Sequence, residues 1–217
     1  MKYGKGIALF LLLLVLVACN GESTTEKMFT HLEEAVKLEE DFVKQQDPLV
    51  ELEEKESELY NKIIDLSMDE FEQMKELSNQ ALDMIDKREE IIRKEKESIE
   101  ASKEEFDKIK PLIDKLDDEE LKKTANELYK TMEDRYKAYL TLNSAYQEAL
   151  DKDRTLYSMF QKEELKEDEL RKQVESVNES YDKILEANDS FNQFTDEYNT
   201  LKEEFYKQAG FEVEMSN

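Results

Sequence analysis

Apolar side chains recur every seven residues along most of this chain. From Phe71 one row runs Phe71, Ser78, Ile85, Ile92, Ile99, Phe106 and Ile113. A neighbouring row holds Met74, Ala81, Ile109 and Leu116, and is interrupted by Arg88, Glu95 and Ser102. The spacing returns as Leu121, Leu128, Leu142 and Leu156, beside Ala125, Met132, Tyr139, Tyr146 and Phe160. It continues as Leu170, Val177, Ile184, Phe191, Tyr198 and Phe205. Upstream, Phe29, Val36, Val43 and Val50 run alongside Leu38, Leu52, Leu59 and Leu66. Seven residues are two turns of a slightly underwound helix, so each row marks one face of a helix that packs coiled-coil fashion.

Punctuation divides the pattern into rods. No glycine occurs between Gly21 and Gly210, which withholds the φ > 0 positions that tight strand connections need. Ser67 with Glu70 reads as a capping box, Asp117 with Glu120 places an acid at N-cap and another at N3, and a weaker break lies near Gln161 to Leu165. Gly210 is placed to stop the last helix as its C′ residue. Asp47-Pro48 either starts a helix or kinks a continuous one; the apolar row that crosses it favours the kink. Pro111 sits where the second helix ends, with Lys110 biased out of the helical region. The expectation is an all-α fold: a long antiparallel up-and-down bundle of four helices, each about 63 Å long at 1.5 Å per residue. Three helices are the alternative, should one helix run unbroken from about 24 to 110. With four, both chain ends lie at one end.

The N-terminus follows a different plan. Lys2 and Lys5 precede an uncharged apolar run from Ile7 to Val17, the layout of a secretory signal peptide and too short for a membrane span. Leu16-Val17-Ala18-Cys19 resembles the bacterial lipobox, which implies cleavage between Ala18 and Cys19 and lipidation of the Cys19 thiol. The chain then divides into a signal peptide (1–18), a lipidated N-terminus and short tether (19–25), a bundle domain (26–210) and a C-terminal tail (211–217). That places the protein on the extracytoplasmic face of the cell membrane, held by its acyl anchor.

Charge narrows the partners. The chain carries a formal charge of −24, and loss of Lys2 and Lys5 leaves 29 basic against 55 acidic residues, or −26. Such a field excludes nucleic acid and repels anionic polymers unless Mg²⁺ or Ca²⁺ bridges them. With one histidine, one cysteine and no glycine-rich loop, no nucleophilic or phosphate-binding site assembles, and no resident cofactor is implied. His31 and Glu34, one helical turn apart, match the His-x-x-Glu pattern of imelysin-like lipoproteins, though Phe29 stands where that family has glycine; they are the candidate metal ligands. Tyr129, Tyr136, Tyr139 and Tyr146 gather on the third helix, where they form either a face for a glycan or protein partner or part of the packing seam.

The lipobox, the glycine-free length, the Glu/Lys-rich heptads and the aromatic last helix, with Asp189-Ser190-Phe191-Asn192 and Glu197-Tyr198-Asn199, together resemble the cell-wall-binding lipoproteins of Gram-positive bacteria, the YkyA-like family. The resemblance covers essentially the whole chain. It implies a helical bundle with a wall-associated role and no catalytic residues. The resulting expectation is a non-enzymatic module that binds or scaffolds wall polymer or another envelope protein, with metal delivery through His31 and nearby carboxylates as the alternative.

Overall fold

The computed structural model describes residues 22–211, and among these no strand occurs. Helices α1 (Thr24–Leu38) and α2 (Glu40–Ile64) form the first rod. Helix α3 (Phe71–Phe106) forms the second, extended by a 3₁₀ turn, Asp107–Ile109, and by the short α4 (Lys110–Ile113). Helices α5 (Glu119–Phe160) and α6 (Glu167–Gln208) are the third and fourth rods. The expected up-and-down bundle of four rods is what forms.

The caps explain where the rods start and stop. Ser23 opens α1 with a capping box: its hydroxyl accepts from the Glu26 N–H at 3.2 Å, and Glu26 accepts from the Ser23 N–H at 2.7 Å. At Ser67 the Glu70 carboxylate accepts from the Ser67 N–H at 3.1 Å, so the chain turns there and the three-helix alternative falls away. The N-cap of α5 is Asp118 rather than Asp117: its Oδ1 accepts from the N–H groups of Glu120 and Leu121, both at 2.9 Å. Gly210, at φ 81°, ends α6 in a Schellman motif, with Phe211 N–H on the Tyr206 carbonyl at 2.9 Å and Gly210 N–H on that of Lys207 at 3.2 Å.

The helix runs on through Pro48, as the sequence favours, and only the expectation for Lys110 needs correction. Pro48 lies inside α2, and the first rod is interrupted nine residues earlier, at Glu39. Ser98 of α3 bridges that gap, accepting from the Phe42 N–H at 3.1 Å and donating to the Leu38 carbonyl at 2.5 Å. Backbone groups freed by the interruption thus keep partners. Lys110 keeps helical dihedrals, because Pro111 occupies the first turn of α4, where its missing N–H costs nothing.

Three clusters fill the interior. The end where the chain enters and leaves packs Met28, Leu32, Phe106, Ile109, Leu128 and Phe205. Phe42, Ile99, Tyr139 and Phe191 fill the middle. The far half packs Ile63, Ile85, Ile92, Leu156 and Phe160. Every member of the Phe71 row beyond Phe71 is buried, as are all steps of its neighbour, including Arg88, Glu95 and Ser102. The upstream row is different: Met28, Ala35, Phe42, Leu49, Glu56 and Ile63 form the buried row and keep one heptad phase across Glu39, whereas Val43 and Val50, one position further on, face solvent.

Candidate functional site

The charged steps inside the heptad rows build two polar centres. Arg88 continues the Met74–Ala81 row of α3, points inward and has no exposed surface. Its Nη2 donates to the Tyr146 hydroxyl at 2.8 Å and more distantly to Glu53 at 3.5 Å. Its Nη1 donates to the Glu56 carboxylate and, at 3.2 Å, to the Tyr181 hydroxyl, and lies 3.6 Å from Asp153. Tyr181 in turn donates to Asp153 at 2.7 Å, and Tyr146 donates to Glu53. Residues of α2, α3, α5 and α6 meet here, so all four rods converge on one guanidinium.

That centre holds more carboxylates than cations. Burial raises Glu56 to about 7; Arg88 opposes the rise and Asp153 adds to it. Asp153 is raised too, first by burial. The buried Glu95, two turns further along α3, accepts from Gln46 at 2.7 Å and is pushed by burial, then by Glu53, to about 8. Desolvation disfavours a buried carboxylate, and a single guanidinium cannot neutralise several.

Arg135 of α5 forms the second centre. Its two Nη atoms donate to the two oxygens of Glu39 at 2.7 and 2.8 Å, a bidentate pair, while Nε donates to Thr195 at 3.0 Å. Ser102 donates to Glu39 at 2.9 Å, and the guanidinium lies over the rings of Phe191 at 4.9 Å and Tyr198 at 5.8 Å. Burial alone would raise Glu39, yet Arg135 overrides it and holds the carboxyl below its ordinary range. Nearer the chain ends, Glu33 accepts from Tyr206 at 2.7 Å and lies 3.8 Å from Lys202, whose ammonium burial depresses.

Both centres are enclosed by packed rods. Two shallow grooves on the surface, one between α5 and α6 along Thr141, Ser144, Lys183 and Glu186 and one on α3 around Asp86 and Lys87, contain none of their residues. Chemically, the centres position the rods: apart from the Arg88 Nε–H, which has no partner among the described residues, the buried charges meet their hydrogen-bond partners in one register and lose them in any other.

The candidates read from the sequence are dispersed. His31 Nδ1 meets Glu105 Oε1 of α3 at 2.7 Å, whereas Glu34 holds Lys37 at 3.1 Å, so these two do not converge. Among the described residues no three histidine, cysteine or acidic side chains are grouped to hold a metal. The four tyrosines share no outer face. Tyr139 and Tyr146 are core residues, because their heptad row points inward. Tyr129 and Tyr136 are half-buried on the seam with α3, where Lys103 lies over both rings at 5.8 and 5.7 Å and Tyr129 donates to Asp107 at 2.9 Å. Ala18 and Cys19, with the signal peptide, and residues 212–217 of the tail lie outside the described residues.

Arg135, Glu39, Glu56 and Asp153 escaped the sequence reading, although a signal existed. Arg135 fills the vacant step between Leu128 and Leu142, Asp153 the one between Tyr146 and Phe160, and Glu56 lies midway between Leu49 and Ile63. A charge occupying one step of an otherwise apolar row marks a buried ionic group.

A glycine-poor bundle of four rods pinned by internal ion pairs defines a rigid helical module. The chain belongs to the YkyA family, described as "Putative cell-wall binding lipoprotein", which matches residues 23–208 and so spans all four rods. It is 34% identical over 203 residues to "Uncharacterized lipoprotein YkyA" of Bacillus subtilis (strain 168), covering 94% of this chain and 91% of that protein. A crystal structure of a conserved Staphylococcus aureus protein of unknown function shares the fold, with a TM-score of 0.59 over 86% of this chain and 97% of the other at 14% identity. No helix among the described residues is long and apolar enough to cross a membrane.

Proposed function

We propose that this protein is a non-enzymatic binding module, lipid-anchored through Cys19 on the outer face of the cell membrane, that holds wall polymer against its rods. The supporting observation is the meeting of the two chain ends: Phe29 of α1 stacks on Phe211 with ring centroids 4.6 Å apart. A tether preceding the bundle, as expected at residues 19–25, would leave all four rods projecting in one direction. The family's description is consistent with a wall partner. Acidity bears on which polymer: a chain of charge −26 after loss of Lys2 and Lys5 is repelled by teichoic acid unless Mg²⁺ or Ca²⁺ bridges the two, so peptidoglycan is the favoured ligand.

Co-sedimentation of residues 20–217 with purified sacculi, with and without teichoic acid and Mg²⁺, tests this. Saturable pelleting that survives removal of teichoic acid is expected, and no pelleting under any condition overturns the reading. Cys19→Ser is expected to leave an uncleaved, poorly retained precursor in membrane fractions; unchanged lipidation would refute the anchor.

A further inference from the structure

Among the described residues the exposed large hydrophobic side chains are Val43, Val50, Ile64, Met68 and Leu185. Singly scattered apolar residues on a surface need no explanation. Four of these five, however, lie between residues 43 and 68, on α2 and the turn that follows it. Val43, Val50 and Ile64, at 37%, 51% and 53% exposure, share one heptad row, with exposed Ser57 at the intervening step. Within α2 they form a straight stripe about 31 Å long. The stripe lies one position beyond the buried row Phe42, Leu49, Glu56 and Ile63; Phe29, at the start of the same row in α1, is buried, and from Val43 onward the row faces outward.

Carboxylates border this stripe. Asp47, Glu54, Glu58 and Asp65 are exposed, and none is in an ion pair with a described residue, unlike Asp41 with Lys44 at 3.1 Å or Glu51 with Lys55 at 3.5 Å. The helix carries eight acidic residues against three lysines. A second copy of α2 would bring like charges together along the seam, which disfavours self-association. A helix with its own heptad row of apolar side chains and lysine or arginine on the flanks meets both requirements of this face.

We propose that the outer face of α2 docks a basic amphipathic helix of another envelope protein in a coiled-coil-like seam. This deepens the binding-module reading by adding a protein partner of defined chemistry, and it rests on that reading only in placing the domain outside the membrane.

A photo-reactive side chain replacing Val50 in the full-length, anchored protein, cross-linked in intact cells and mapped by mass spectrometry, tests it. The same probe replacing exposed Leu185 on α6 is the control. The expected adduct forms at position 50 only and maps to a segment with heptad-spaced apolar residues and net positive charge. Its yield falls about tenfold when Val43→Ser and Ile64→Ser are combined, the loss of roughly one apolar contact's worth of affinity. The melting curve stays unchanged, because both side chains are exposed. An adduct joining two copies of this chain, an adduct to lipid or glycan, no adduct, or a yield insensitive to the serine variants each overturns the proposal. Sacculus binding without the adduct refutes docking alone, and the adduct without sacculus binding refutes the wall reading alone.

Discussion

Arg88 and Arg135 are both buried arginines on heptad rows, yet their surroundings treat carboxylates in opposite ways. Arg135 meets one glutamate through two parallel hydrogen bonds, with Ser102 and Thr195 completing the set, and the Glu39 carboxyl is held below its ordinary range. Arg88 faces Glu56, Asp153 and Glu53 together, and two of those carboxylates are raised. The lesson is that burial does not fix the protonation of an ion pair. The ratio of charges within reach, and the hydrogen bonds that complete the set, decide it.

Removing each arginine separates the two cases most sharply. Arg135→Met leaves Glu39 with burial unopposed by a guanidinium and should cost about 3–5 kcal/mol at pH 8.5, and somewhat less at pH 5.5 as the raised carboxyl takes up a proton. Arg88→Met should cost a comparable amount at pH 8.5 and much less at pH 5.5, where Glu56 already carries its proton in the intact protein. Urea unfolding of both variants at the two pH values checks this, and equal pH dependence would erase the distinction.

The next effect concerns the intact protein. Glu56 and Glu95 bind protons more tightly when folded, so stability is greatest below their ordinary value of 4.5 and declines as pH rises toward about 7 and about 8. Glu39 has the opposite sign: its contribution is complete above the ordinary carboxyl value and is lost as pH falls through its lowered folded value. The melting temperature should therefore fall between pH 5.5 and 8.5. Glu95→Gln should remove part of that slope, since each pKa unit is worth about 1.4 kcal/mol.

Smaller effects probe the backbone. Ser98→Ala removes the hydroxyl that bridges Leu38 and Phe42 and should cost about 1–3 kcal/mol, measured by thermal melting. Gly210→Ala forces a side chain into φ 81° and should cost about 1–2 kcal/mol, although nothing lies within 4 Å of the added carbon.

The architecture was legible because its signals are local and repeated. The Phe71 row, the glycine gap, the Ser67 turn and the Gly210 stop are each set by nearby residues. What escaped depends on distant partners. No pattern around Glu39 announces an interruption, because the groups that sustain it, Ser98 and Arg135, come from other rods. Val43 and Val50 sit one position beyond the buried Phe42 and Leu49, and only the neighbouring rods decide which of two adjacent rows turns inward. The charges within the rows were visible, but which acid Arg88 or Arg135 meets depends on rod order and stagger, which heptads leave open. Tyr139 and Tyr146 illustrate the same gap: their spacing fits a seam or a flank, and only the neighbouring rods decide.

The stacking of Phe29 on Phe211 has a topological consequence. A short linker could join the two ends of the bundle, and the chain could be reopened at the far turn between Phe160 and Glu167. In such a permutant the third and fourth rods exchange sequence order with the first and second while every ion pair keeps its geometry. A tether fused to its new N-terminus would hang the bundle from the opposite pole.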